Sequence, residues 1–508
     1  MSSGAALRLP PDLLELRGGF RNISEAWHSL AQAEWPRPHP SDSQFSHLRL
    51  YVYDFSQTDF SLTSLLKFAA SLSSRFYGKQ DDCLVRYCEF GLSTPNSKSK
   101  SGHVGRPWVN VRSLTSEIPV LLRLLQVCTL VDDPLQADGF LVPLPLATLS
   151  AIQWLGKIRY SPAGPDALKT ANLVNVIQRN LIHLNPTSAD RHIFTQSLDS
   201  IFIGVDSHAR QEPSSRPLIP NQSIVMHLGD DLWQSRFYPN ARRLYGPIRR
   251  TLRFGRSIIL PQRSQHPRSP SDKDWSSAAR PLLVFGAFGM ERHPGRRMLA
   301  REVQASEHLA PGRLRVGDMR YILNSSDSQE LSFDAAYEHA RQASFCLCPS
   351  GDAPSFTQRF YQAVFAGCIP VFVDLYLRYP ADVIAYPFPS RICWRHFVVE
   401  VPENRSALLA AVRLQGSEQK LSQLEQRLAS DAFRAALEGE FKRLVPRLQQ
   451  LEPHAAVARR YMRSIASVLK FDAHAANGEL LLPDAASAAL QELAVKLGIQ
   501  PKPPDPCS

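Results

Sequence analysis

Cysteine is scarce in this chain. Cys83, Cys88, Cys128, Cys346, Cys348, Cys368, Cys393 and Cys507 are all there is among 508 residues. That excludes a small disulfide-stapled scaffold, so an apolar core must hold the fold. Long apolar runs are also lacking: no stretch reaches the ~18 residues of a membrane-spanning helix. The N-terminus has no basic-then-apolar signal-peptide pattern. These absences predict a soluble protein, or one whose anchor lies outside the chain. Blocks of like charge are missing too. The net charge is +11, yet the lysines and arginines are scattered. The densest cluster, Arg249, Arg250, Arg253 and Arg256, reads as a solvated or interdomain surface, with a polyanion groove as the other reading. A basic balance favours anionic partners, but no nucleic-acid motif or basic stripe accompanies it. No internal repeat and no low-complexity segment is visible.

What is present is a globular composition with strand and helix signals in alternation. Residues 1–46 are polar and proline-punctuated, and read as a peripheral N-terminal segment. LRLYVYDF from Leu48 is a core strand, and helices are predicted over 62–72, 118–131 and within 156–184. Further strands are predicted at 139–144, 192–195, 201–205, 223–227 and 257–261. The Ser- and Pro-rich stretch 262–280 interrupts the pattern as a surface loop. The alternation then restarts: strands at 281–286, 314–317, 344–348 and 369–374, with helices at 295–304, 333–343 and 355–366. Residues 416–447 and 453–470 read as helical, as does 484–497, with a loose tail after it. The fold class is α/β. The implied division is an N-terminal Rossmann-like lobe over 47–265, a C-terminal one over 266–470, and a C-terminal helix and tail over 471–508. Four Asn-x-Ser sequons, at Asn22, Asn221, Asn324 and Asn404, tilt slightly toward the secretory route.

The chemistry concentrates in SFCLCPSGDAPSFTQRFYQAVFAGCIPVFVD, Ser344 to Asp374. A buried strand is expected to stop at Pro349, and Gly351 permits a turn that other residues resist. Ser355 or Thr357 caps the following helix. The free amides and positive dipole end of that helix suit a phosphate, and Arg359 in its first turns can fork onto phosphate oxygens. Gly367 ends the helix as a left-handed cap. Taken alone, this strand–turn–helix–strand unit reads equally as scaffold or as a phosphate site. Cys346 and Cys348 lie on one strand face. With no partner His or second pair nearby they argue against zinc, and for core burial or a bridge to Cys368 or elsewhere. Cys83 and Cys88 are close enough for a local bridge.

The ordered pattern FCLCPSGD…R…AGCIPVFVD closely resembles the signature of exostosin-like proteins, glycosyltransferase family 47. LYVYD at Leu50–Asp54, DPLQADGFLVPL at Asp133–Leu144, RSIILP at Arg256–Pro261 and RPLLVFGAFG at Arg280–Gly289 resemble further family segments in the same order. The resemblance covers roughly 48–405. It implies a GT-B fold: two Rossmann-like lobes facing a cleft, with the donor in the C-terminal lobe and the acceptor mainly in the N-terminal one. It implies an enzyme that transfers sugar from a UDP-sugar to a glycan or glycoprotein acceptor with inversion, without a bound metal or a permanent cofactor. It also implies Golgi residence, with membrane association or a glycosyltransferase partner. Gly351, Ser355 and Arg359 would hold the diphosphate. Asp352, Gln362 and Asp374 would contact sugar or ribose hydroxyls.

Inversion also requires a general base for the acceptor hydroxyl. ADRHIF at Ala189–Phe194 stands where the family has a G-R-D-H-F stretch, which makes His192 the candidate for the base or an acceptor contact. A histidine satisfied within a strand is the competing reading. Asp138 is either catalytic or a cap where its strand begins. Arg191 and Leu198 replace the family's Asp and His. Ser350 stands where the family has Arg or Lys, Gln362 where it has an acid, and Asp382 where it has Glu. These departures leave a second reading open: a catalytically silent exostosin-like protein that binds glycan or supports a partner.

Overall fold

The computed structural model describes residues 39–55, 116–145, 177–196, 222–227, 257–261, 275, 279–290, 294–318, 333–350, 358–375, 386–403, 431–471 and 484–507. The predicted elements at 62–72 and 201–205, the Cys83 and Cys88 pair and Asp382 lie outside them. Compactness divides the chain into two units. The first comprises Met1–Leu228, Arg243–Arg263 and Phe471–Lys502, and the second Gly229–Arg242, Ser264–Lys470 and Pro503–Ser508.

The first unit carries a six-stranded, all-parallel sheet of β1 (Arg49–Val52), β2 (Thr129–Val131), β3 (Gly139–Pro145), β4 (His192–Gln196), β5 (Ile224–His227) and β6 (Ser257–Ile259), in the order β2-β1-β3-β4-β5-β6. Helix α1 (Glu117–Val127) is shorter than the sequence implied. Cys128 is already extended, and Thr129–Val131, with two β-branched residues, pairs with β1 instead of continuing the helix.

The second unit carries five parallel strands: β7 (Leu282–Phe288), β8 (Leu314–Asp318), β9 (Ala343–Pro349), β10 (Ile369–Val373) and β11 (Val399–Val401), in the order β8-β7-β9-β10-β11. Around it lie α2 (Pro294–Ala305), α3 (Phe333–Arg341), α4 (Gln358–Phe365), α5 (Asp431–Leu451) and α6 (Ala455–Ile465). Every residue of β9 and β10 is buried, as a parallel sheet covered on both faces requires. Gly367 takes φ +64° just beyond α4, and Cys368 N–H reaches back to Ala363 O at 2.9 Å. That is the left-handed termination the sequence implied.

Two segments set apart in the sequence join the first unit. The peripheral N-terminal segment contributes Asp42 and Phe45, both buried. The C-terminal helix α7 (Ala485–Lys496) packs on α1. Arg123 of α1 is fully buried and ties both together, donating to Asp42 at 2.5 Å, to Asp484 at 3.3 Å and to the Ser487 hydroxyl at 3.1 Å. Asp484 also accepts from Ser487 N–H at 2.9 Å as the cap of α7. The tail beyond α7 is not loose: Cys507 is disulfide-bonded to Cys393 in the second unit. Among the described residues, no helix is long and apolar enough to cross a membrane.

Candidate functional site

Strand order locates the ligand edge of a doubly wound sheet. In the second unit β7 leads, β8 lies on one side, and β9, β10 and β11 follow on the other. The winding therefore reverses between β7 and β9, and ligands of such sheets bind beyond the carboxyl ends of the strands at that point. The carboxyl end of β9 is Cys348–Pro349, the start of the turn singled out in the sequence.

This edge is tightly stitched. Ser350 N–H bonds Val373 O at 2.9 Å, and its hydroxyl accepts from Leu375 N–H at 3.0 Å. Asp374, fully buried, donates its backbone N–H to Val401 O at 2.8 Å. A Cβ at Gly286 would lie 3.0 Å from the Phe288 ring and 3.1 Å from Leu347 Cβ, so any side chain there would push its neighbours on β7 and β9 back by a few tenths of an ångström. Cys346 is bridged to Cys368, which decides between burial and a bridge and ties β9 to the start of β10. Cys348 stays a buried thiol whose pKa burial pushes up to about 12. It is neutral near neutral pH and unsuited to act as a nucleophile or metal ligand.

Arg359 lies in the first described turn of α4, beside the Cys348 thiol. Desolvation pulls its pKa below the ordinary value, and the thiol opposes this. Its guanidinium remains cationic all the same. Gln362, one turn further along, is buried on the same helical face. Arg359, Gln362 and Asp374 thus belong to the β9–α4–β10 unit. Gly351, Asp352 and Ser355 lie outside the described residues.

A residue that the sequence reading missed also occupies this edge. Arg296, buried in the first turn of α2, donates from Nε to Ser350 O at 3.1 Å, from Nη1 to Gly289 O at 3.1 Å and from Nη2 to Pro349 O at 3.5 Å. It clamps the ends of β7 and β9 across the reversal point. A cation opposes the helix dipole at that position. An arginine two residues after the Pro294 helix start was the available signal.

The two residues assigned to catalysis lie elsewhere. His192 opens β4, at the amino end of the first sheet, and is fully buried. Its Nδ1 is 2.8 Å from Ser188 O and its Nε2 is 2.7 Å from the Tyr53 hydroxyl. Because a carbonyl can only accept, Nδ1 carries the proton and Nε2 accepts from Tyr53. Phe140 stacks on the ring at 4.8 Å. Burial lowers the His192 pKa to about 4. Both nitrogens are engaged, so the geometry fits the satisfied core histidine weighed as the alternative, and no proton can be taken from an acceptor without breaking this packing. Asp138 immediately precedes β3 and forms a two-pronged ion pair with Arg49, at 2.8 Å from Nη2 and 3.2 Å from Nε, and also accepts Arg49 N–H at 2.8 Å. This pairing outweighs desolvation and holds its carboxyl below the ordinary range. It fastens the start of β3 to the start of β1, which is the structural reading of that residue.

These features define an α/β protein of the doubly wound parallel class, with a candidate ligand edge at the carboxyl ends of β7 and β9. The exostosin GT47 domain matches residues 46–414, and the chain belongs to that family. It is 25% identical over 316 residues to a probable glucuronoxylan glucuronosyltransferase, IRX7, of Arabidopsis thaliana, covering 60% of this chain and 61% of that protein. It is 33% identical over 101 residues to probable glucuronosyltransferase 47 A of Physcomitrium patens, covering 20% and 21%. It is 43% identical over 68 residues to the probable beta-1,4-xylosyltransferase IRX10 of Arabidopsis thaliana, covering 13% and 15%. The chain thus spans less than two thirds of the length of these curated relatives.

Proposed function

We propose that the protein is an inverting glycosyltransferase that moves a sugar from a UDP-sugar onto a glycan or glycoprotein acceptor, in a GT-B organisation and in the Golgi. The observation that carries this reading is the cationic edge where the second sheet reverses: Arg359 at the start of α4, beside the carboxyl end of β9. In the reaction, an acceptor hydroxyl attacks the anomeric carbon, the sugar–phosphate bond breaks, and UDP leaves with the negative charge. The hydroxyl proton passes to a base. Arg359 and the amides opening its helix would stabilise the departing diphosphate in the place a metal takes in other transferases. Gln362 and Asp374 would orient hydroxyls. Arg296 would hold the edge in shape without touching the donor. For the base, Asp54, exposed just past the carboxyl end of β1, is better placed than His192.

UDP release from a panel of UDP-sugars tests this. Arg359→Ala should lower turnover on the order of 10²–10³-fold while the fold is retained. Unchanged turnover in that variant would sink the assignment. A catalytically silent protein that binds glycan or supports a partner is the second reading. It is favoured by Ser350, whose hydroxyl is spent on Leu375 N–H where the family places a cation. Thermal stabilisation by a glycan, with no UDP release from any UDP-sugar of the panel, would select it.

A further inference from the structure

The opposite, amino end of the second sheet holds a cavity of about 580 Å³ whose lining includes Arg280, Arg313, Ser344, Glu452, Ala456 and Arg459. We propose that this cavity is an oxyanion-binding site centred on Arg459, accepting a small molecule that carries a phosphoryl or carboxylate group.

Its three arginines face one glutamate, and two of the three are already employed. Arg280 donates Nη1 to Ala340 O at 3.2 Å, Ala343 O at 2.9 Å and Ala366 O at 3.2 Å, which caps the strand and helix ends. Arg313 pairs with Glu452, its Nη1 at 3.1 Å from Oε2 and its Nη2 on Oε1. The Ser344 hydroxyl also donates to Glu452, at 3.3 Å. Glu452 therefore has little capacity left.

Arg459, on α6, is 3% exposed. Its Nε and Nη1 are buried and have no acceptor among the described residues. Burial drags its pKa downward, with Glu452 opposing. A lysine so placed would shed its proton. A guanidinium does not, so its charge needs an anion. Buried donors without acceptors are strongly disfavoured unless something fills their role. The volume lies within the range of about 300–1,000 Å³ typical of small-molecule pockets. Arg359 belongs to the other end of the same sheet, so this site is separate from the proposed donor edge and does not depend on that reading.

Thermal unfolding of the full chain, titrated with inorganic phosphate or with glucuronate against chloride at matched ionic strength, tests the site. A saturable rise is expected with one of the two, on the order of 5 °C at a hundredfold excess over Kd. The effective probe identifies the ligand group. Arg459→Met should abolish the rise while raising the starting melting temperature, because a buried uncompensated charge is removed. Ala456→Phe, which fills the cavity, should abolish it without touching the charge. Arg359→Ala should leave it intact. No saturable rise above chloride with either probe overturns the proposal, as does a rise that survives Arg459→Met or Ala456→Phe. A rise lost in Arg359→Ala would also overturn it, by assigning the anion to the donor edge.

Discussion

In the first unit, distant segments are tied by a buried ion cluster, whereas in the second two disulfides accompany more exposed ion pairs such as Arg313–Glu452. Both sheets are parallel and share the order of a doubly wound fold. Both must therefore secure pieces of chain that arrive from far along the sequence. The first recruits its N-terminal segment and α7 through Arg123, Asp42 and Asp484. The second closes β9 onto β10 with Cys346–Cys368 and recovers the chain's end with Cys393–Cys507. A covalent tie acts mainly by restricting the unfolded chain. A buried ion cluster acts in the folded state, and its strength depends on every partner staying charged and in place. The two units should accordingly fail under different insults.

The largest contrast should come from the longest covalent tie. Cys393 and Cys507 are separated by 114 residues, and loop closure on that scale corresponds to about 5 kcal/mol. Replacing both by serine should lower protection against hydrogen exchange in peptides of the second unit by up to that amount, and leave α1 and α7 unaffected. Equal loss in both units would show that they do not fail separately. Next comes Arg123→Ala. It leaves Asp42 and Asp484 buried together without a cation. Burial already raises the Asp484 pKa, and Arg123 is what opposes it most. The expected loss is about 3–5 kcal/mol, confined to peptides of the first unit and insensitive to reductant.

Much of this architecture was legible in the sequence, for local reasons. SFCLC, IPVFV and PLLVFG are apolar runs long enough for a strand and too short for a helix. Pro349 and Gly367 marked ends that the backbone honours. Legibility failed where the decisive partner is far away in sequence. Nothing near Asp42 or Asp484 announces that both will meet Arg123. At 118–131 an apolar run continued past the true helix end, because Thr129–Val131 had β1 available as a neighbour. The candidate site divided in the same way. The family pattern picked out Arg359, Gln362 and Asp374, which share the β9–α4–β10 unit. It also picked out His192 and Asp138, because a motif does not say which end of a strand a residue will occupy. Arg296 escaped because its role is to bind carbonyls that only the folded sheet assembles.

His192 supplies the smallest effect and the finest test of charge against sulfur. It is buried beside Tyr53, Phe140 and His183, with Arg191 and Asp190 as the nearby charges. Its pKa falls from 6.5 to about 4 on folding, chiefly through desolvation. The unfolded chain therefore binds the proton more readily. The resulting stability is fully present above pH 6.5 and is lost as the pH falls through about 4, amounting to about 3 kcal/mol. Asp484, with its raised pKa, acts with the opposite sign, being most favourable at low pH. The histidine's share must therefore be isolated by difference. Unfolding of the wild type and of His192→Gln, compared between pH 7 and pH 4, should show the wild type losing more stability than the variant. The difference should appear in first-unit peptides only, while turnover of the variant at pH 7 stays within a few-fold of the wild type. If turnover instead collapses and the pH dependence is unchanged, His192 handles the acceptor's proton, and the amino end of β4 would have to be reinterpreted as part of the active site.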